Sequence, residues 1–204
     1  MFAPALVIVL MFAQRPQLEL TIRAVQHSGW WELQYDGRSV AVNEMHVPAG
    51  RRVIVETKLD GPALWWSSAS AIYTFRLRRP NVSKLLIFTD DPRQFDSWLA
   101  RQRSAATIPS TAEATRGRDV FLTARCTLCH SVRGVAVAEE PLGPDLTHVA
   151  SRATLASGAL PNHAGELAAW IVDAETLKPG AGMPINNIEA SELQLLLAYL
   201  RTLR

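Results

Sequence analysis

Apolar and polar residues alternate with a period of two in several runs of the first half of the chain. Leu18–Ala24 and Tyr73–Arg78 alternate cleanly and Arg52–Glu56 less so, which predicts strands with one buried face. Turn-forming residues separate these runs at positions 36–37, 48–50, 60–62 and 79–81. Short strands divided by such turns favour an antiparallel β-sandwich over a parallel sheet. A short helix is predicted over 91–101.

The last third of the chain shows the helical period instead. One apolar stripe is formed by Leu193, Leu196, Leu197, Leu200 and Leu203. Ser191 and Gln194 have the spacing of a capping box, which predicts that this helix begins there. Another helix is predicted over Glu166–Ala174. The pattern therefore predicts an α+β protein of two domains, a β-sandwich over 16–101 and an all-α domain over 114–204, joined by a small, polar linker at 102–113.

The N-terminal run Phe2–Ala13 is continuously apolar. About 20 residues are needed to cross a bilayer, so this run is too short to span one alone. Three interpretations stay open: the apolar core of a signal peptide, a buried strand, or the end of a membrane helix that begins before this chain. No Lys or Arg precedes the run, which weakens the signal-peptide interpretation.

Composition sets limits on function. The chain of 204 residues has 48% hydrophobic and 20% charged residues, with a net charge of +2. This balance is typical of a globular protein with a buried core. The charge is too small and too scattered to predict binding of nucleic acid.

The most specific motif is Cys126-Thr127-Leu128-Cys129-His130. Cys-x-x-Cys-His is the spacing at which two thiols attach covalently to a haem. Cys126 and Cys129 are then the attachment sites and His130 is one axial ligand of the iron. A zinc site needs further ligands nearby, and the chain has only these two cysteines. A thioredoxin-like disulfide would lie in a βαβ pattern, which the flanking residues do not show.

Met183 lies in a stretch rich in Gly and Pro at 178–184. A thioether in such a loop can approach the other face of the iron. A lone Met is more often a core residue, so this prediction depends on the haem motif. A His/Met pair fills both axial positions and favours electron transfer at a raised potential.

Several motifs in order resemble subunit II of cytochrome c oxidases that carry a fused C-terminal cytochrome c domain. In the helical half these are the haem motif, Gly143–His148, Ser151–Arg152, Gly158–Asn162, Leu167–Ile171 and Met183–Pro184. In the first half the likeness is weaker, with Gly29–Tyr35 resembling an aromatic strand of the family's cupredoxin domain and Asn43–Gly50 the strand and turn after it.

The resemblance implies a class I cytochrome c domain with one covalent haem c, preceded by a cupredoxin-like sandwich. It implies that the Pro144 carbonyl accepts a hydrogen bond from His130, and that Arg152 and Trp170 lie near the haem propionates. It also favours the membrane-helix interpretation of residues 1–15. Since haem is attached covalently on the outer side of the energised membrane, we expect the protein at the periplasmic side of the bacterial inner membrane.

The chain departs from this family at the copper centre. A dinuclear copper site (CuA) needs two bridging thiolates together with His and Met ligands. The first half has no cysteine, and Pro62–Trp66 has no His where the family has its first copper ligand. We therefore expect no copper, and we expect His27 and His46 to be ordinary hydrogen-bonded side chains rather than ligands.

The resulting functional prediction is an electron-transfer subunit with no substrate chemistry of its own. It would accept electrons from a soluble or membrane-bound donor and pass them to the catalytic subunit of a membrane-embedded oxidase. Two alternatives stay open. One is a free-standing periplasmic haem c electron carrier, or a haem sensor in which Met183 exchanges for a small ligand. The other is the electron-delivery subunit of a nitric oxide reductase.

Overall fold

The structure is a computed structural model that describes residues 19–27, 29–57, 64–66, 73–75, 85–140 and 142–204. The interpretations of Phe2–Ala13 and the turns at 60–62 and 79–81 lie outside these ranges. The first part, called here the β region (residues 19–102), contains eight described strands and one helix. They are β1 Leu20–Gln26, β2 Trp31–Tyr35, β3 Arg38–Val42, β4 Glu44–Pro48, β5 Val53–Thr57, β6 Leu64–Trp66, β7 Tyr73–Phe75, β8 Leu85–Asp90 and α1 Pro92–Gln102.

The strands form two sheets that share one apolar core. One sheet has the order β3-β2-β1-β5-β6 and the other β4-β8-β7. Alternate residues of β1 and β2 point inward, as the period of two predicts. The buried core draws on both sheets and on Phe95 of α1, so the prediction of a two-layer sandwich is confirmed.

The prediction that all the strands pair antiparallel is wrong in two places. β1 pairs with β5, and β4 with β8, in parallel registers. The physical reason is the length of the connections, because parallel neighbours need a crossover while antiparallel ones can be joined by a tight turn. The turn at Asp36-Gly37 joins β2 to β3 as an antiparallel hairpin, whereas each parallel pair is joined through other strands.

The second part, called here the helical region (residues 112–204), begins after a stretch at 105–110 without helix or strand. Its helices are α2 Ala112–Thr123, α3 Ala164–Val172, α4 Ala174–Leu177 and α5 Ala190–Leu200, with 3-10 turns at Cys126–Leu128 and Val149–Ser151 and a small hairpin of β9 Thr154–Leu155 and β10 Leu160–Pro161. The α2 and α5 helices cross very closely at Gly117, where a Cβ atom would lie 1.9 Å from the Leu195 carbonyl oxygen.

Two predicted helix boundaries are wrong. The last helix begins at Ala190 with Glu189 before it, so Ser191 lies inside the first turn and does not cap. Ala190 is itself a strong helix former. The helix predicted to run to Ala174 ends at Val172, because the Asp173 side chain accepts a hydrogen bond from the Thr176 amide and starts α4. The stripe of Leu196, Leu197, Leu200 and Leu203 is buried as predicted.

Polar contacts join the two regions. The Arg133 guanidinium of the helical region donates to the carbonyl oxygens of Gln102 and Ser104, at 2.8 and 2.9 Å, just where α1 ends. The Trp30 indole N–H donates to the Leu142 carbonyl oxygen at 3.1 Å. Within the described residues, no helix is long and apolar enough to cross a membrane.

Candidate haem site

The Cys-x-x-Cys-His motif follows directly on the end of α2. Arg125 adopts a left-handed conformation, with φ of 63°, and turns the chain out of the helix. The 3-10 turn then folds the motif back on itself, since the Cys129 and His130 amides both donate to the Cys126 carbonyl oxygen at 3.2 and 2.9 Å. The local backbone therefore holds the two thiols and the imidazole close together.

Both cysteines are half-buried and are not joined in a disulfide. Burial raises the pKa of the Cys126 thiol, and the neighbouring Cys129 adds to this rise. The thiolate is the form that attacks disulfides and ligates zinc, and reactive cysteines have lowered pKa values.

His130 is held in one orientation by its surroundings. Its Nδ1 lies 2.8 Å from the Pro144 carbonyl oxygen, the contact that the family resemblance implies. A carbonyl oxygen only accepts, so Nδ1 carries the proton and Nε2 has the free lone pair. Burial lowers the pKa of His130, although the Pro144 hydrogen bond opposes the shift. A neutral ring with an oriented Nε2 is the form in which histidine ligates a metal.

The backbone of Gly143 packs closely against this ring. A Cβ atom at Gly143 would lie 2.4 Å from Cε1 of His130 and 2.7 Å from Nδ1, well inside van der Waals contact. The Gly143 amide donates to the Cys129 carbonyl oxygen at 3.1 Å, so its backbone is tied to the motif. Only glycine fits here. A Gly-Pro pair after the motif is visible in the sequence, but only Pro144 is predicted from it as a site residue.

Arg152 is oriented by the residue after Pro144. Its guanidinium donates to the Asp145 carbonyl oxygen. Burial lowers its pKa, while the carboxylates of Asp145 and Glu44 oppose the shift. The Asn162 side chain also donates to the Arg152 carbonyl oxygen at 2.9 Å. Arg152 is half-buried, and nearby anions and hydrogen-bond acceptors offset the cost of removing a guanidinium from water.

Met183 lies in the segment 178–184, called here the Met segment, and is half-buried. The Glu175 carboxylate accepts hydrogen bonds from the amides of Gly180 and Ala181, at 2.7 and 3.2 Å. On the other side, the Lys178 ammonium donates to the carbonyl oxygens of Gly29 and Ala156, at 3.0 and 3.1 Å. Burial lowers the pKa of Lys178. The first half of the Met segment, residues 178–181, is thus held by contacts on two sides.

The structure brings together only some of the predicted site residues. Cys126, Cys129 and His130 share one turn, His130 contacts Pro144, and Arg152 contacts the residue after Pro144. Trp170 is half-buried on α3. Within the described residues, no hydrogen bond or ring contact joins Trp170 or Met183 to this group.

The two histidines of the β region have ordinary partners. His27 stacks on Trp30 and lies 3.0 Å from Glu32. The Nδ1 atom of His46 lies 2.7 Å from the Asp90 carboxylate, and its ring stacks on Trp98. In the described parts of the chain, no three His, Cys, Asp or Glu residues lie together as a metal site would require.

The helical region matches the sequence profile of the cytochrome c family over residues 114–204. This part of the chain is a cytochrome c domain. Its Cys-x-x-Cys-His motif lies near the start of the matched range, shortly after α2. The fold of the cytochrome c domain and its position after a β-sandwich agree with the resemblance found in the sequence.

The chain as a whole is similar to a cytochrome c oxidase subunit 2 from Alkalihalophilus pseudofirmus. The two sequences are 28% identical over an alignment of 214 residues, which includes 90% of this chain. The alignment therefore extends through the β region as well as the cytochrome c domain. The chain spans 61% of the length of that relative.

Proposed function

We propose that the chain is an electron-transfer subunit that carries one covalent haem c. Cys126 and Cys129 would hold the porphyrin, and His130 and Met183 would ligate the iron. The observation that carries this proposal is the fixed orientation of His130 between Gly143 and Pro144, directly after two thiols on one turn. Haem bound in this way supplies one-electron iron chemistry at a potential raised by the His/Met pair.

The residues of the chain have separate tasks in this proposal. Pro144 fixes the protonated ring nitrogen of His130, so the ring keeps its direction in both redox states. Arg152 would provide a half-buried positive charge for a haem propionate, and Trp170 would lie near the same edge. The apolar cluster around Phe121, which includes half-buried Cys126, excludes water on the side of α2.

The partner in this proposal is the catalytic subunit of a membrane-bound, oxidase-type complex. It is supported by similarity to an oxidase subunit 2 along 90% of the chain. We place the chain at the periplasmic side of the membrane, as expected for such a subunit. We further propose that it works without a CuA centre, because its only two cysteines are those of the haem motif. Electrons would then pass from the haem to the partner without an intermediate copper.

The first experiment tests haem attachment. The chain is expressed in a bacterium with a haem-attachment system, and covalent haem is measured by haem staining after denaturing electrophoresis. We expect one haem per chain, lost in the double variant Cys126→Ser/Cys129→Ser and retained in Thr127→Ala, the matched control within the motif. Staining of the double variant, or none in the original chain, would contradict the proposal.

The second experiment tests ligation and the partner. Met183→Leu should lose the spectral signature of sulfur ligation while keeping the covalent haem. Purification from native membranes in mild detergent should yield a large apolar haem protein together with this chain, and no copper bound to the chain. Recovery of the chain as a soluble monomer with haem alone would instead favour the free carrier or sensor.

A further inference from the structure

Glu44, at the start of β4, is a buried carboxylate whose hydrogen bonds cross to the cytochrome c domain. Its side chain accepts from the Ala153 amide at 3.0 Å, the Thr154 amide at 2.7 Å and the Thr154 hydroxyl at 2.8 Å. The residue is only 6% exposed. Three donors around one carboxyl group are the surroundings that suit its charged form. The β region therefore places a negative charge inside the contact between the two regions.

This carboxylate contacts the chain next to Arg152 and does not form a direct ion pair with it. The two amides that Glu44 accepts from belong to the residues immediately after Arg152, and its carboxylate acts on the guanidinium electrostatically. Asn162 fixes the Arg152 carbonyl from within the cytochrome c domain. The backbone at and just after Arg152 is thus held from both regions.

We propose that Glu44 is a positioning residue for Arg152 and that its charge lowers the reduction potential of the haem. The inference rests on the proposed haem site. A nearby negative charge stabilises the ferric form, which has one more positive charge than the ferrous form. Glu44 also offsets part of the charge of Arg152, which acts in the same direction. Buried charges interact more strongly than surface charges, because solvent and salt screen them less.

The test is the midpoint potential of the full-length chain with its haem attached. Glu44→Gln keeps the shape and one acceptor oxygen but removes the charge. We expect the equilibrium constant for haem reduction to rise about three- to tenfold, where tenfold is about 59 mV for one electron. The shift should persist in 1 M salt. The matched control is Glu56→Gln, a carboxylate of the same region that is half exposed and pairs with Arg23; it should leave the potential unchanged.

A second variant separates charge from contact. Thr154→Val removes the hydroxyl that donates to Glu44 but changes no charge, so its potential should stay close to that of the original chain. Glu44→Asp keeps the charge and should lie closer to the original chain than Glu44→Gln does. An unchanged or lowered potential in Glu44→Gln, or an equal rise in Thr154→Val, would overturn the inference.

The outcomes also distinguish this inference from the proposed function. If the original chain carries no covalent haem, the proposed function fails first. If haem is attached in the original chain and in Glu44→Gln but their potentials agree, only the role of Glu44 is wrong. Should Glu44→Gln fold poorly, the midpoint potentials of Glu44→Asp and Thr154→Val still test the inference. Both variants keep the charge of Glu44, so a larger shift in potential in Glu44→Asp than in Thr154→Val would contradict a role based on charge.

Discussion

The β region and the cytochrome c domain treat their buried polar groups differently. In the β region the hydroxyl of buried Tyr35 bonds to both the amide and the carbonyl oxygen of His46, each at 2.9 Å. In the cytochrome c domain the hydroxyl of buried Tyr199 and both ring nitrogens of His148 have no hydrogen-bond partner among the described residues. Among the described residues, the buried tyrosine of the sandwich is therefore fully hydrogen-bonded within its own region, whereas Tyr199 and His148 of the helical domain are not.

The two regions also have separate apolar cores. Among the described residues, the buried core of the sandwich is drawn from the β region, and that of the cytochrome c domain from residues 121–203, with half-buried Ala106 packed against it. The contacts between the regions include the polar ones of Glu44, Arg133 and Lys178. We therefore expect the two cores to respond separately when either is damaged.

The largest effect should come from a cavity in the sandwich. Leu33 is fully buried on β2, and Leu33→Ala should lower the free energy of unfolding of the β region by about 2–5 kcal/mol. In a denaturant titration, the tryptophan signal of this region should be lost earlier while the haem absorbance keeps its midpoint. Loss of both signals at the same lower denaturant concentration would show that the cores are not separate.

A smaller effect should follow from overpacking the helix crossing in the cytochrome c domain. In Gly117→Ala the new methyl group would meet the Leu195 backbone, so α2 and α5 must move apart. We expect a loss of about 1–3 kcal/mol in the unfolding of this domain, followed by haem absorbance. Gly165→Ala is the matched control, because nothing lies within 4 Å of its Cβ position. Equal stability of both variants would contradict the close crossing.

The two buried tyrosines test the comparison directly. Tyr35→Phe leaves the amide and carbonyl of His46 without their partner and should cost about 1–3 kcal/mol. Tyr199→Phe removes a hydroxyl that has no partner among the described residues, so the free energy of unfolding should be unchanged or slightly higher. Chemical denaturation of both variants measures the difference. A larger loss in Tyr199→Phe would reverse the comparison.

Alkaline pH extends this test. Burial raises the pKa of Tyr35 above its ordinary value, so the folded chain keeps a proton that the unfolded chain releases near pH 10. The stability contributed by neutral Tyr35 is complete below that pH and falls as the pH rises above it. Between about pH 9 and pH 11, which brackets the pKa of free tyrosine, the free energy of unfolding should therefore fall less in Tyr35→Phe than in the original chain. A parallel decline in both proteins would contradict this assignment.

The smallest effect is expected at the contact between the regions. The Ser157 hydroxyl lies 2.8 Å from the Gly29 carbonyl oxygen and 3.0 Å from Oδ1 of Asn43, and donates to one of them. Ser157→Ala should cost about 1 kcal/mol and should make cleavage in the linker stretch faster under limited proteolysis. Thr115→Ala, which removes a surface hydroxyl bonded within α2, is the control. Equal cleavage rates in the two variants would show that Ser157 does not hold the regions together.

The sequence was most informative where local chemistry decides the structure. The turn at Asp36-Gly37 and the leucine stripe of α5 follow from neighbouring residues alone. The parallel pairs β1–β5 and β4–β8 were missed because strand order depends on contacts distant in the chain. The helix start at Ala190 was missed because Ser191 has the spacing of a cap but not its position.

The candidate site divides in the same way. Cys126, Cys129 and His130 are recognised from five adjacent residues, and Pro144 came from a motif a short distance after them. Gly143 requires knowledge of where the His130 ring lies, since its role is to leave space. Glu44 lies in the other region, more than one hundred positions from the amides it contacts, and no local pattern marks such a carboxylate.

Lys178 links the sandwich mechanically to the segment that carries Met183. Its ammonium joins Gly29 of the sandwich to Ala156 and to the stem of the segment that carries Met183. A pull that separates the sandwich from the helices would therefore load this segment early, before the helical core is disturbed. Strain applied at the far side of the sandwich, for example by a docking partner, would reach the Met segment through Lys178 and through the close approach of Gly29 to Ala181.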